Sequence, residues 1–235
     1  MTEQAKKLYG KERYDFGDLC EIVRILRGEG GCPWDREQTH ASIRNCVIEE
    51  AYEVAEAIDK NDADLLCEEL GDLLFQSVFH AQLEQERGSF SIADVVNANA
   101  KKMIDRHPQV FGDEPPTDAD EALRRWEAQK VAEKRRVTLS SRLRAIPAML
   151  PALMRAQKVA EKAGLNDRTG YAELTDGIAA ALPALAGGDS GALGQVLFDL
   201  CRLASHCGVS AETALFRYTE QVIETAENHE NSLKN

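Results

Sequence analysis

The chain has 235 residues, 43% hydrophobic and 29% charged, a length for one or two domains that each bury a core. Aromatic residues make up only 6%, long Val/Ile/Thr alternations are absent, and Ala, Leu and Glu dominate, so an all-α fold is expected. A formal net charge of −12 argues against a nucleic-acid strand as partner, because a polyanion would be repelled.

A small phosphorylated ligand stays compatible, since a divalent cation offsets its charge locally. The cysteines Cys20, Cys32, Cys46, Cys67, Cys201 and Cys207 form neither a CxxC pair nor a Cys/His zinc spacing. They read as reduced thiols of a cytoplasmic protein. The segment Met1–Lys7 lacks the apolar core of a signal peptide, and no run is apolar enough to span a membrane.

In chain order, residues 1–16 read as a polar tail. A first helix is expected from Asp18 to Arg27, with Leu19, Ile22, Val23 and Leu26 on one side, before Gly28–Pro33 breaks it. A second runs from about Thr39 to Asp59, because Ile43, Val47, Ala51, Val54 and Ile58 recur at helical steps. Lys60-Asn61-Asp62 is a turn, and Asp62 or Asp64 caps a third helix over residues 64–86. That helix is apolar on more than one side, which predicts a central position. Ser91-Ile92-Ala93-Asp94 is a variant capping box opening a fourth helix to about Arg106, and a charged helix follows over residues 118–136.

From Leu143 a second helical block begins, with hints of an internal repeat. Leu73–Ala81 has a counterpart in Val196–Ala204, and each is followed by a glycine (Gly88, Gly208) and a capping serine (Ser91, Ser210). The expected division is a tail over 1–16, one helical domain over 17–137 and a second over 138–235.

Two acidic pairs stand out, Glu50-Ala51-Tyr52-Glu53 and Glu69-Leu70-Gly71-Asp72. Residues three apart on a helix share a face, with Cβ atoms about 5–6 Å apart. Antiparallel helices would aim both pairs at one point. Glu69 and Asp72 share a row with Leu65, Gln76 and Phe79, and Glu50 borders an apolar stripe, so these carboxylates are not on plain solvent surface. Close, partly buried carboxylates need protons or a cation, and hard oxygen donors select Mg²⁺ or Mn²⁺. Exposed helical glutamates give the same spacing with no metal at all. A di-iron bundle would need two Glu-x-x-His motifs, and only Glu37–His40 fits.

Gly31-Cys32-Pro33-Trp34-Asp35, Glu49-Glu50-Ala51-Tyr52-Glu53-Val54, Glu68-Glu69-Leu70-Gly71-Asp72-Leu73-Leu74-Phe75 and Arg106-His107-Pro108-Gln109-Val110-Phe111 occur in that order. The series closely resembles the MazG-type nucleoside triphosphate pyrophosphohydrolases, over about residues 17–131. The resemblance implies tandem all-α bundles, usually as a homodimer, that cleave a nucleoside triphosphate between its α and β phosphates. By the same resemblance Glu50, Glu53, Glu69 and Asp72 hold Mg²⁺, Glu49 orients the attacking water, and Lys102 and Arg106 face the phosphates. Trp34 and Trp126 lie in shared motifs where either could stack on a base, and Lys130 follows one turn after Trp126; ordinary packing explains both tryptophans equally well. The family often has Asn two residues before the lysine, where this chain has Ala100.

Leu150–Lys158 resembles the junction between tandem domains of longer family members. Aligned as a repeat, the second block carries Ala181, Ala184, Ala192 and Gln195 at the ligand positions and Gln221 at the lysine position. Without carboxylates it cannot hold Mg²⁺ in the same way. The expectation is a degenerate copy kept for packing, dimerisation or regulation. The rival to an enzyme is a catalytically idle helical nucleotide sensor or scaffold.

Overall fold

The structure, a computed structural model, describes residues 3–113, 118–133, 138–166 and 170–233. Every regular element among them is a helix, and the chain divides into two compact units, Met1–Leu123 and Arg124–Asn235. The division falls inside a helix, Ala119–Glu133, that the charge pattern assigns whole to the first block.

The first unit opens with α1 (Glu3–Leu8), so part of the polar tail is helical, and Tyr14 donates to the Leu8 carbonyl at 2.9 Å. Helix α2 (Phe16–Arg27) starts earlier than the apolar pattern suggests. Asp15 is its N-cap, and Asp18 sits at the third position of a reciprocal capping box. After α2 the chain doubles back, and the Cys32 amide donates to the Leu26 carbonyl at 2.8 Å. The return passes so close that a Cβ at Gly31 would lie 2.3 Å from the carbonyl oxygens of Ile25 and Leu26, which only glycine tolerates. A short helix, α3 (Pro33–Glu37), follows.

Helix α4 (Arg44–Lys60) begins later than its apolar repeat implies. The Thr39 amide donates to Ser42 Oγ at 2.9 Å and the Ser42 amide to Thr39 Oγ1 at 3.2 Å. This side-chain turn competes with helix over 39–43. The stripe Ile43–Ile58 does not stay on one face: Ile43 is buried, but Ile58 is 59% exposed and Ala57 takes the buried place. Steps of four overshoot 3.6 residues per turn, so the row walks around the cylinder.

Asn61 in the left-handed region (φ 52°) ends α4, and Asp62 accepts from the amides of Asp64 and Leu65 to open α5 (Ala63–Glu86). These two helices make an antiparallel hairpin. The second half of α5 is central, with Gln76, Val78, Phe79, Ala81 and Leu83 buried, whereas Leu70 and Leu74 in its first half are exposed. Val23, Ile43, Val78, Phe79 and Leu83 form the core, with Leu19, Cys20, Cys46, Phe75 and Ile92 around it. Arg27 binds this end together: it pairs with Glu86, donates to the carbonyls of Asp35 and Gln38, and lies over the Phe79 ring at 5.2 Å. Helix α6 (Ile92–Asp105) opens on the expected Ser91/Asp94 capping box; α7 (Pro108–Phe111) and α8 (Ala119–Glu133) follow.

The second unit continues with α9 (Leu139–Arg144), α10 (Ala152–Ala163), α11 (Tyr171–Leu185), α12 (Ser190–His206) and α13 (Ala211–Leu233). Helices α11 and α12 form a hairpin as α4 and α5 do; α10 packs on α12 as α2 packs on α5, and α13 follows α12 as α6 follows α5. Ile146, Ala160, Leu174, Val196 and Cys201 are buried. Gln157 ties three elements: it donates to Ser205 Oγ and the Val209 carbonyl and accepts from the Ala211 amide at 2.8 Å. Among the described residues no helix is long and apolar enough to cross a membrane.

Candidate metal centre

The α4–α5 hairpin decides which acidic side chains meet. On α4, Glu50 lies on the edge facing α5; on α5, Glu69 and Asp72 are one turn apart and face back. Glu50, Glu69 and Asp72 each offer a carboxylate oxygen, and these oxygens lie within 4.8 Å of one another. Glu50 and Glu69 are half-buried and Asp72 is exposed. Glu53 is exposed on α4, outside that group of three, and acts electrostatically on Glu50 and Glu69. Glu49 is exposed on the preceding position of α4.

The electrostatics show the cost of this gathering. Partial burial pushes the Glu50 carboxyl above its ordinary value, helped by the neighbouring Glu53 carboxyl and the Asp72 charge; only the Gln76 amide pulls it back. Glu69 is raised too, by partial burial first and then by the charges of Glu53, Glu68, Asp72 and Glu56. Both shifts disfavour the charged form, and a bound cation offsets them.

The donor chemistry fits such a cation. All the converging atoms are carboxylate oxygens, and hard divalent ions take oxygen ligands at about 2.0–2.6 Å, which puts neighbouring ligands within a few ångström of one another. No sulfur or imidazole intrudes among the grouped residues.

The remaining expected residues are more scattered. Lys102 is half-buried in the last turn of α6. Arg106, the C-cap of α6, is only 5% exposed, so most of its guanidinium is already enclosed by the protein. Trp34 projects from α3 and is 62% exposed. Trp126 is half-buried on α8, in the second compact unit. The Lys130 side chain lies outside the described residues.

Two further groups of side chains lie near the site. Gln76 is buried one turn beyond Asp72, and its Nε2 donates to Glu50 Oε1 at 3.5 Å. Farther along, His40 Nδ1 meets His80 Nδ1 at 2.7 Å with the rings stacked, and His40 Nε2 meets Glu84 Oε1 at 2.7 Å. Glu84 also pairs with Arg87. The short N···N contact carries a single proton, so both imidazoles cannot be cations while it stands. This contact holds the turn before α4 against α5. Asp72, Gln76, His80 and Glu84 fall at steps of four, so the row was visible; the His40 contact was not, because it joins residues forty positions apart.

Residues 38–111 match the model of the MazG nucleotide pyrophosphohydrolase domain. The chain is 41% identical over 219 residues to a nucleoside triphosphate pyrophosphohydrolase of Escherichia coli (strain K12), covering 86% of this chain and 82% of that protein. It is 38% identical over 216 residues to the nucleoside triphosphate pyrophosphohydrolase/pyrophosphatase MazG of Thermotoga maritima, covering 89% and 83%. It is also 45% identical over 157 residues to the uncharacterized protein YabN of Bacillus subtilis (strain 168), of which it spans 31%. The acidic hairpin lies inside the matched segment, and the likeness to the first two proteins extends through both compact units. The chain belongs to the MazG nucleotide pyrophosphohydrolase family.

Proposed function

We propose that this chain hydrolyses nucleoside triphosphates between the α and β phosphates, yielding the monophosphate and pyrophosphate, with Mg²⁺ as cofactor and Mn²⁺ as a substitute. The observation that carries the reading is the convergence of Glu50, Glu69 and Asp72 oxygens across the α4–α5 hairpin. Relatives that span most of the chain and carry the pyrophosphohydrolase name support the bond assignment. Glu50, Glu53, Glu69 and Asp72 hold the cation. When bound it supplies charge neutralisation for the phosphates and lowers the pKa of coordinated water. Glu49, exposed beside Glu50, accepts a proton from the attacking water and orients it. Lys102 stabilises phosphate charge, Arg106 adds to it only from an enclosed place at the end of α6, and Trp34 offers an exposed ring for a base.

The protein acts in the cytoplasm, in keeping with its free cysteines. It works as a homodimer, and exposed apolar side chains such as Ile48 and Tyr52 on α4 and Leu70 and Leu74 on α5 are surface that a second copy can cover. Residues 17–137 are the catalytic domain, and residues 138–235 are a degenerate copy with no carboxylates at the ligand positions.

The test incubates the purified chain with Mg²⁺ and each triphosphate and resolves the phosphate products. Pyrophosphate and monophosphate in equal amounts, lost in Glu53→Ala and Asp72→Ala, are expected. Orthophosphate as the only inorganic product overturns the bond assignment. Binding without turnover makes the chain a nucleotide sensor or scaffold instead.

A further inference from the structure

Gln76 is 8% exposed, on the side of α5 that packs against α4. A buried side-chain amide has given up its water hydrogen bonds and stays only at a cost unless the protein replaces them. Packing does not ask for an amide here: the other buried positions of α5 are Val78, Phe79, Ala81 and Leu83. What Gln76 reaches is Glu50, whose Oε1 lies 3.5 Å from Nε2, a weak contact longer than the about 2.7–3.2 Å usual for an N–H···O bond.

The second hairpin gives an independent view of the same position. In the register that places Leu73 against Val196, Gln76 matches Asp199. There the ligand positions are Ala181, Ala192 and Gln195, and the amide is gone as well. Asp199 accepts from Arg202 Nη1 at 3.1 Å on its own helix, reaching no partner across the hairpin among the contacts described. The amide and the carboxylates are present together in one unit and absent together in the other.

We infer that Gln76 is a positioning residue for the metal centre: its amide N–H holds the Glu50 carboxylate in the rotamer that presents it to Glu69 and Asp72. The inference rests on the reading of that cluster as a cation site. Side chains behind a metal ligand fix its orientation, and losing one weakens metal affinity about 10–100-fold. Glutamine suits the place. A lysine would bring a positive charge that competes with the cation, a glutamate would add to the repulsion already gathered there, and a leucine would leave Glu50 free to turn toward solvent.

Mn²⁺ alone, titrated calorimetrically into the full chain, tests this without turnover. Gln76→Leu and the near-isosteric Gln76→Met are expected to bind Mn²⁺ about 10–100-fold more weakly than the wild type, while the metal-free melting temperature holds or rises. In a Glu50→Gln background the same changes should cost almost nothing further, because the side chain they act through is already altered. A purely structural role would lower the metal-free melting temperature and add its full effect in both backgrounds; that pattern overturns the inference. So does Mn²⁺ affinity within twofold of wild type in Gln76→Met. A wild-type chain that takes up no Mn²⁺ overturns the cation-site reading itself, and is told apart because the failure then precedes any substitution.

Discussion

The hairpins α4–α5 and α11–α12 have the same neighbours in the same order, and even their helical glycines, Gly71 and Gly194, fall in matching register. One hairpin gathers carboxylates; the other carries alanines and a glutamine in their place. Both still bury an apolar core, Val78 and Phe79 in the first and Val196 and Cys201 in the second. The fold therefore does not need the acids. In the first hairpin they work against it, since burial and mutual repulsion raise both Glu50 and Glu69. A function that requires charge at one place accepts lost stability there.

The largest loss should come from neutralising one carboxylate of the first hairpin. Asp72→Asn or Glu50→Gln should reduce pyrophosphate release at least about a hundredfold, since a divalent cation supplies several kcal/mol of transition-state stabilisation. Gln195→Ala, at the position matching Asp72, should leave kcat within about twofold. Equal losses on both sides would mean the second hairpin also takes part in the chemistry.

The next effect is on packing. Gly31→Ala places a Cβ 2.3 Å from two backbone carbonyls and should cost roughly 2–4 kcal/mol, read as a lower denaturation midpoint. Gly71 and Gly194 have open space around them, so alanine at either should stabilise the metal-free chain by about 0.5–1 kcal/mol. Stabilisation at Gly194 with a loss of activity only at Gly71 would sharpen the contrast between the two hairpins.

Two pH dependences come next, with opposite signs. Glu50 and Glu69 have folded values raised above 4.5, so the metal-free chain should lose stability as pH rises from 4.5 through those values. Saturating Mg²⁺ or Glu69→Gln should reduce that loss. His80 is lowered, by burial first and then by His40, so the folded state keeps it neutral while the unfolded chain protonates near 6.5. Stability should fall as pH drops below about 6.5, and His80→Gln should flatten that limb in pH-dependent urea denaturation. Unchanged slopes would show that His80 is not held in a buried place in solution. The smallest effect belongs to the second hairpin: Asp199→Asn removes a partly exposed ion pair and should change stability by less than about 1 kcal/mol.

Much of this was legible in the linear chain. Alanine- and leucine-rich periodicity gave helices, Asp62 and Ser91 marked two of their starts, and the pair spacings put Glu50 with Glu53 and Glu69 with Asp72 on shared faces. Those are local properties, set within a turn or two by backbone geometry and capping. The start of α4 was harder to place, because Thr39 and Ser42 satisfy their backbone amides with side chains rather than with helix, and periodicity is blind to that competition.

The helical class, the acidic pairs and the family to which they belong follow from the order of residues alone. That Glu50 meets Glu69 and Asp72, that Gln76 stands behind Glu50, that His40 bonds to His80 and that Arg106 is enclosed depend on how the helices pack. The reason is physical: a helix fixes which residues share its own face, while the rotation and register of one helix against another depend on side-chain packing summed over the whole core.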